Sequence, residues 1–163
     1  MNEPQVYLNG KFIPAPEAAI PIYDKGITLG ATVTEMTRTY HQKLFRLEDH
    51  LDRLYRSLRY TRFDTGVSKE EMANASIKLA ARNAELIAPD EELGLIHFVT
   101  AGKVPMYAGR PLSDEENCPT VCIHTFPLDF SNYAETMRNG IHVVTPAIRH
   151  IPPQCLDPKM KYR

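Results

Sequence analysis

The sequence predicts an α+β domain in which antiparallel strands pack against a few helices. Three observations support this: a strong hairpin signal near the N-terminus, two long segments with helical spacing of apolar residues, and short apolar runs separated by turn residues. The 163 residues are enough to bury one sizeable core.

The first predicted element is a β-hairpin over Val6–Ile13. Asn9 and Gly10 stand between two runs of β-forming residues, and Asn-Gly is the dipeptide that two-residue hairpin turns favour. Further on, Thr34–Tyr40 is rich in β-branched residues and is followed by a turn at residues 41–43. A short strand pair around that turn is therefore expected.

Three later runs also predict strands. Leu93–Thr100 is almost entirely apolar, so it is expected at the centre of the sheet. Thr120–Phe126 and Ile141–Ala147 are expected to form two more strands, and the polar stretch between them has room for a short helical turn.

The most informative helix is predicted from about Arg46 to Tyr60. Its apolar side chains recur at helical spacing and would form one stripe facing the core: Leu47, Leu51, Leu54, Tyr55 and Leu58. Arg53 lies away from the centre of that stripe. It is therefore expected to be free to meet a ligand or a second domain, whereas Arg56 and Arg59 are interpreted as surface charges.

A second helix is predicted to begin at Ser68. Glu71 stands three residues later, which is the spacing of a capping box. Alanine and leucine continue the helical pattern to Leu86, and the helix is expected to stop before Pro89.

Composition limits the classes of function. The formal net charge of −1 gives no general reason to expect nucleic-acid or membrane-surface binding. No run is apolar and long enough to span a bilayer, and the first residues lack the features of a signal peptide. The three cysteines form no dense framework, which is typical of a reducing cytoplasm.

Cys118 and Cys122 are candidate metal ligands by residue type. They are four residues apart in a segment expected to be a strand, where they would share a face, but no second ligand pair with zinc spacing follows them. They are interpreted as buried or half-buried thiols, and no metal is expected.

Common catalytic motifs for phosphate loops, metalloproteases and serine hydrolases do not occur. His97 lies in the predicted central strand and is interpreted as a core histidine. His50, Arg46 and Arg53 share a flank of the arginine-rich helix. They could form an anion site or simply a solvated basic face.

The run from Pro158 to Arg163 carries two lysines with strand-like spacing, Lys159 and Lys161. Neighbouring positive charges favour the neutral amine of a lysine, and a neutral amine can form a Schiff base. An exposed basic segment is the alternative interpretation.

Taken in order, these segments resemble the class IV pyridoxal-phosphate aminotransferases, which include branched-chain aminotransferases, D-amino-acid aminotransferases and aminodeoxychorismate lyase. The resemblance rests on the hairpin and on the segments Asp24–Gly30, Thr34–Tyr40 and Leu44–Tyr55, followed by the two lysines. The block from His50 to Leu54 is the most specific part. The resemblance covers nearly the whole chain but only the first half of the family's length.

The resemblance implies the N-terminal sheet-and-helix domain of the D-amino-acid aminotransferase-like (fold type IV) enzymes over residues 1–150. Residues 151–163 would then be the connector and the start of a C-terminal domain. The chain would be the first part of an enzyme of ~300 residues, with its second domain largely outside this sequence.

The resemblance also implies a cofactor, pyridoxal 5'-phosphate, and roles for named residues. Arg53 would grip the cofactor phosphate, because a guanidinium fork suits a dianion. Lys161 would form the internal aldimine, with Lys159 as the alternative lysine. Arg38 would help to hold a substrate carboxylate, and Glu35 would brace the pocket.

The implied reaction is transamination of an amino acid of branched-chain type, or an amine, with a 2-oxo acid. The family implies a homodimer as well. A lyase of the same family and a non-catalytic anion-binding α+β module remain alternatives. The Tyr-x-Arg pair of the branched-chain enzymes is missing from Leu93–Val99, and Met106 and Ala108 stand where D-amino-acid enzymes carry arginine and histidine. The substrate is therefore open.

Overall fold

A computed structural model describes residues 3–113 and 116–161. It contains a six-stranded antiparallel sheet and four helices. The strands are β1 (Gln5–Leu8), β2 (Lys11–Pro14), β3 (Thr32–Tyr40), β4 (Lys43–Leu44), β5 (Leu93–Thr100) and β6 (Val121–Pro127). The helices are α1 (Lys25–Thr28), α2 (Leu47–Thr61), α3 (Lys69–Ala84) and α4 (Ser131–Asn139). The predicted α+β class is confirmed.

The N-terminal hairpin is confirmed. Strands β1 and β2 pair antiparallel from Gln5 opposite Pro14 to Leu8 opposite Lys11. Asn9 and Gly10 both have positive φ, 48° and 85°. Two positive φ values define the turn type that matches the twist of the strands, which is why Asn-Gly is favoured here.

The strand order is β2-β1-β6-β5-β3-β4. Strand β5 therefore lies inside the sheet, as its apolar sequence predicted, and its register places Glu35 of β3 directly opposite His97. Successive side chains of a strand point to opposite faces. In β3 the alternate residues Val33, Glu35, Thr37 and Thr39 are buried, and they face the helices.

Helices α2 and α3 cover one face of this sheet and form the core with it. The main apolar side chains of the core are Leu51, Leu54, Met72, Leu79, Leu95, Val99 and Ile123. The predicted bounds of α2 are confirmed to within one residue. The capping box of α3 is confirmed, since Ser68 accepts from the Glu71 amide and Glu71 accepts from the Ser68 amide.

Helix α3 ends at Ala84, two residues before the predicted end at Leu86. The Leu86 amide donates to the Asn83 carbonyl at 3.1 Å, so the chain tightens into a three-residue turn there. Propensity alone does not mark this change, because alanine and leucine continue to favour a helix.

Two strand predictions near the end of the chain are wrong, one for Ile141–Ala147 and one for the run that begins at Pro158. Ile141–Ala147 has no strand geometry, and Ile141, Val143 and Val144 are highly exposed. The sheet edges within the described part of the chain are β2 and β4, and this β-forming run pairs with neither of them. The polar stretch before it holds helix α4.

The run that begins at Pro158 was predicted to be strand-like, but its described residues form a turn. The Met160 amide donates to the Asp157 carbonyl at 3.0 Å, and the Lys159 amide donates to Asp157 Oδ1 at 2.8 Å. An aspartate that accepts from the backbone two residues on is a common turn former. Tyr162 and Arg163, the remainder of the predicted run, lie outside the described residues.

The connection between β2 and β3 is fixed by Asp24, which is fully buried. Its carboxylate accepts hydrogen bonds from the Gly26 amide at 2.6 Å, from Thr100 Oγ1 at 2.9 Å and from Thr120 Oγ1 at 2.8 Å. A Cβ at Gly26 would lie only 2.5 Å from Thr100 Cγ2. Glycine is therefore required for this close approach.

In residues 3–113 and 116–161, none of the helices has the length and apolar character needed to cross a bilayer.

Candidate active site

The candidate site is built around the carboxylate of Glu35, which is fully buried between β3 and α2. Its position on the helix-facing side of β3 follows from the alternation of the strand. A charged side chain is stable at such a position only when it is paired and hydrogen-bonded. The surrounding groups must therefore supply that pairing.

Arg53 of α2 is the main partner. Its Nε donates to Glu35 Oε2 and its Nη2 donates to Oε1, each at 2.5 Å. These two bonds occupy the side edge of the guanidinium. In the described part of the chain Nη1 has no hydrogen-bond partner, and the Arg53 side chain is 43% exposed. The end edge, formed by Nη1 and Nη2, is thus open to a ligand.

Three further groups meet the same carboxylate. His50 Nδ1 lies 3.0 Å from Glu35 Oε1, the Met36 amide donates to it at 2.9 Å, and Lys161 Nζ lies 3.6 Å away. Arg53, His50 and Lys161 are thereby brought together from α2 and from the C-terminal segment. In the sequence, His50 and Arg53 were candidates for one anion site, and Lys161 was a separate candidate.

Two opposing effects act on the pKa of Glu35. Burial works to raise it, while the hydrogen bonds from Arg53, His50 and the Met36 amide, with the charge of Lys161, work to lower it. The favourable contacts together outweigh burial, and the pKa falls from 4.5 to about 2. Glu35 is therefore ionised at neutral pH and holds the cationic groups around it.

The main chain of Lys161 is anchored between α2 and β3. Its amide donates to Ser57 Oγ at 3.1 Å, and its carbonyl accepts from the Thr34 amide at 3.4 Å. In the part of the chain that the structure describes, Lys159 has its turn bond to Asp157 and no contact to Glu35. Of the two lysines that the sequence left open, Lys161 is the one whose amine lies beside Glu35.

His97 lies opposite Glu35 on β5 and is fully buried. Its Nε2 is 2.8 Å from the Ser76 hydroxyl, whereas its Nδ1 has no partner among the described residues. Burial lowers the pKa of His97 to about 4, so the ring is neutral at neutral pH. His97 is a core histidine, as expected, although only one of its two nitrogens is hydrogen-bonded.

An open depression runs along the outer side of α2. It is lined by Phe45, Arg46, Asp49, His50, Asp52, Arg53 and Arg56. Three charged side chains of the lining are already paired with each other or with a neighbour: Arg46 with Asp49 at 2.5 Å, and Asp52 with Lys69 at 2.8 Å. The remaining donors include the guanidinium groups of Arg53 and Arg56, which are cationic.

Arg56 differs from its interpretation as a surface charge. It is half-buried, and its Nε is shielded from solvent without a hydrogen-bond partner in the described part of the chain. Arg59, by contrast, is exposed as expected. The open guanidinium edge of Arg53, in a depression that Arg56 also lines, fits an anionic group such as a phosphate.

Arg38 lies on the opposite face of β3 from Glu35. Its guanidinium carbon is 4.0 Å from the centre of the Tyr40 ring and 4.6 Å from that of Phe130, and its Nε donates to the Thr39 carbonyl at 3.0 Å. The structure does not bring Arg38 into the group around Glu35. Its role as a substrate contact stays a prediction.

The cysteines are only partly as expected. Cys122 is half-buried on β6, and burial raises the pKa of its thiol to about 11. Cys118 is exposed and precedes β6, so the prediction that the two share a strand face is wrong. Within the described ranges, no group of three or more potential metal ligands is found.

Two residues have more contacts in the structure than the sequence predicted. Glu35 was assigned only a bracing role, although a glutamate at a core position of β3 already signals a buried ionic contact. Ser57 stands four residues after Arg53 on the buried side of α2 and was not singled out. A small polar residue in an apolar stripe was the available signal.

Comparison with known proteins identifies the family of the chain. The family described as Amino-transferase class IV matches residues 32–163, which is most of the chain and includes both Arg53 and Lys161. The chain belongs to the class IV aminotransferases.

Two relatives illustrate the range of the family. A Methanocaldococcus jannaschii protein, named provisionally as a branched-chain-amino-acid aminotransferase, is 30% identical over 160 residues, or 96% of this chain and 50% of the relative. The D-alanine aminotransferase of Bacillus licheniformis is 30% identical over 143 residues, or 86% of this chain and 46% of the relative. The chain thus spans about half the length of the curated relatives it matches.

Solved structures show the same fold. The branched-chain aminotransferase of Thermoproteus uzoniensis, solved with norvaline, superposes with a TM-score of 0.76 at 21% identity, covering 98% of this chain and 51% of that one. The branched-chain amino acid aminotransferase of Escherichia coli gives a TM-score of 0.64 at 22% identity, covering 77% of this chain and 41% of that one. A further branched-chain aminotransferase, solved with pyridoxamine 5'-phosphate, gives 0.76 at 21% identity, covering 98% and 50%. The sheet and helices are those of the N-terminal domain of fold-type-IV aminotransferases.

Proposed function

We propose that this chain is the N-terminal part of a pyridoxal-phosphate-dependent aminotransferase that transfers an amino group between an amino acid or amine and a 2-oxo acid. The observation that carries the proposal is the meeting of Arg53, His50 and Lys161 at the buried carboxylate of Glu35. The names of the relatives, branched-chain and D-alanine aminotransferase, support an amino acid as the donor, and we propose one of branched-chain type.

Arg53 would hold the cofactor phosphate with the end edge of its guanidinium. Glu35 occupies the side edge, so the orientation of the guanidinium is set before any ligand binds. Such preorganisation reduces the ordering cost of binding. The half-buried Arg56 adds positive charge to the same depression.

Lys161 would supply the amine to which the cofactor is attached. Pyridoxal 5'-phosphate, when bound, provides an electron sink for negative charge at the substrate α-carbon. Once free, the Lys161 amine is the group that would move the proton from that carbon. Positioned proton transfer of this kind is typically worth roughly 10²–10⁴-fold in rate.

Several further parts of the proposal rest on the family. Arg38 would help to hold the substrate carboxylate from the other face of β3. Residues 1–150 would form the first domain and residues 151–163 the connector to the second. A homodimer in the cytoplasm is the assembly and compartment that we propose.

The attachment of the cofactor tests Lys161 directly. In the full-length protein, Lys161→Ala is expected to abolish covalent incorporation of pyridoxal 5'-phosphate, because the attacking amine is removed. The measurement is the intact mass and visible absorbance after borohydride reduction. Lys159→Ala is the matched control and should keep the full mass increase. A reduced adduct that persists in Lys161→Ala and disappears in Lys159→Ala would assign the role to Lys159.

The phosphate contact tests Arg53. Arg53→Lys keeps a cation for Glu35 but loses the planar fork, so the affinity for pyridoxamine 5'-phosphate is expected to fall about tenfold. Titration by calorimetry or fluorescence measures this change, with unchanged circular dichroism as the check on folding. Arg59→Lys changes the same residue type at an exposed position of the same helix and should leave the affinity unchanged. Equal affinities in the two variants would remove Arg53 from the phosphate site.

A further inference from the structure

We propose that Ser57 is a positioning residue for Lys161, its hydroxyl fixing the main chain of the lysine to the turn of α2 that carries Arg53. The proposal deepens the function proposed above and rests on Lys161 as the attachment point of the cofactor. It concerns a bond between two residues of this chain.

The hydroxyl of Ser57 connects two otherwise distant parts of the chain. It donates to the Arg53 carbonyl at 3.1 Å and accepts from the Lys161 amide at 3.1 Å. Ser57 is fully buried, so water cannot easily replace either bond. Arg53 and Lys161 are therefore held to one hydroxyl, although 108 positions separate them along the chain.

Few other contacts locate Lys161. The described side chains from Tyr133 to Cys155 are exposed, and burial begins again only at Leu156. The Lys161 carbonyl has a longer bond of 3.4 Å to the Thr34 amide, and its amine lies 3.6 Å from Glu35. The Ser57 bond is the shortest of these three contacts. We expect it to set where the lysine side chain starts.

The geometry also separates Ser57 from phosphate binding. Its hydroxyl contacts the main chain of Arg53, whereas the guanidinium is oriented by Glu35. Removing the hydroxyl should therefore leave the phosphate contact in place and loosen only the lysine. If Ser57 merely supported the helix, its replacement would weaken both the phosphate contact and the position of the lysine.

Helix α3 offers a matched control in Ser76. It is also fully buried and also donates to the carbonyl four residues earlier, that of Met72, at 2.7 Å. Its second contact is to His97 and not to Lys161. Ser57→Ala and Ser76→Ala thus remove the same type of group, and only the first removes a bond to the lysine.

Two measurements on the full-length protein test the proposal. Without cofactor, amide hydrogen exchange at Lys161 is expected to become about tenfold faster in Ser57→Ala, since one hydrogen bond is lost. In Ser76→Ala it should not change. With cofactor, covalent incorporation of pyridoxal 5'-phosphate at Lys161 should slow by about the same factor. The affinity for pyridoxamine 5'-phosphate, which cannot bond to the lysine, should stay constant.

Ser57→Cys replaces the hydroxyl with a bulkier thiol that accepts a hydrogen bond poorly, and it should behave like Ser57→Ala. Because one variant removes volume and the other adds it, the same result in both excludes a packing effect. Unchanged exchange at Lys161 in both variants would overturn the proposal, as would equal losses in attachment rate and pyridoxamine 5'-phosphate affinity. If the wild-type protein takes up no cofactor, the proposed function fails. The exchange measurement still decides whether Ser57 positions Lys161.

Discussion

The two faces of β3 carry cationic groups that are stabilised in different ways. On the helix-facing side, Arg53 is held by the buried carboxylate of Glu35 through two charge-assisted hydrogen bonds. On the other side, Arg38 has no carboxylate within salt-bridge distance among the described residues and contacts the rings of Tyr40 and Phe130. Glu35 and Arg38 are only three positions apart, an odd number, and so point to opposite faces.

The two faces therefore differ in how firmly the guanidinium group is held. The group around Glu35 is buried at its centre, so the ionised state of the carboxylate and the orientation of Arg53 depend on each other. The contact of Arg38 with aromatic rings leaves its Nη groups without a hydrogen-bond partner in the described part of the chain, and contacts of this kind contribute about 0.5–1 kcal/mol at exposed positions. The helix-facing side suits a ligand that stays bound, and the other side suits a ligand that binds and dissociates.

The largest expected effect is that of Glu35→Gln. It leaves Arg53 without its ionic partner while preserving side-chain size, and breaking a buried ion pair costs about 3–5 kcal/mol. Because Arg53 and Lys161 are partly exposed, we expect the free energy of unfolding to fall by about 2–3 kcal/mol. Denaturant titration at pH 7 measures the loss. Glu92→Gln, at a half-buried carboxylate that also accepts several hydrogen bonds, should cost less.

The pH dependence of this loss follows from the lowered pKa of Glu35. The carboxylate binds protons more weakly in the folded chain (pKa about 2) than at its ordinary pKa of 4.5. Its contribution to stability is therefore complete above pH 4.5 and disappears as the pH falls towards 2. The difference in stability between wild type and Glu35→Gln should shrink over that interval. A difference that stays constant from pH 7 to pH 2 would contradict the ionised state of Glu35.

Much of the fold could be predicted because local signals and packing agree. Asn9-Gly10 specifies its hairpin turn, the leucines of α2 specify a buried stripe, and Ser68 with Glu71 caps α3. The strand prediction for Ile141–Ala147 is wrong because there the local signal and the packing disagree. A β-forming run becomes a strand only beside a free sheet edge, and residue type alone does not tell which edge is near.

The site was predicted less completely, for a related reason. Arg53 and Lys161 were reached by resemblance, since periodicity alone left Arg53 among several cations. Two contacts of the site join residues that are far apart in the sequence. One is the ion pair between Glu35 and Arg53, and the other is the hydrogen bond between Ser57 and Lys161. Such contacts are set by strand pairing and helix packing. No local pattern of residues encodes them.

The smallest expected effect on stability is that of Arg38→Gln. Its stacking contacts are worth less than an ion pair, so we expect a loss of at most about 1 kcal/mol and no change in covalent attachment of cofactor at Lys161. If Arg38 helps to hold the substrate carboxylate, its removal should raise KM for the amino donor about tenfold, the effect of losing one charge-assisted hydrogen bond. Steady-state kinetics of the full-length enzyme measure this change. Arg38→Lys keeps the charge and should recover part of KM but not the stacking contribution to stability, since a lysine lacks the flat guanidinium. An unchanged KM in Arg38→Gln would show that Arg38 does not bind the substrate carboxylate and makes only its aromatic contacts.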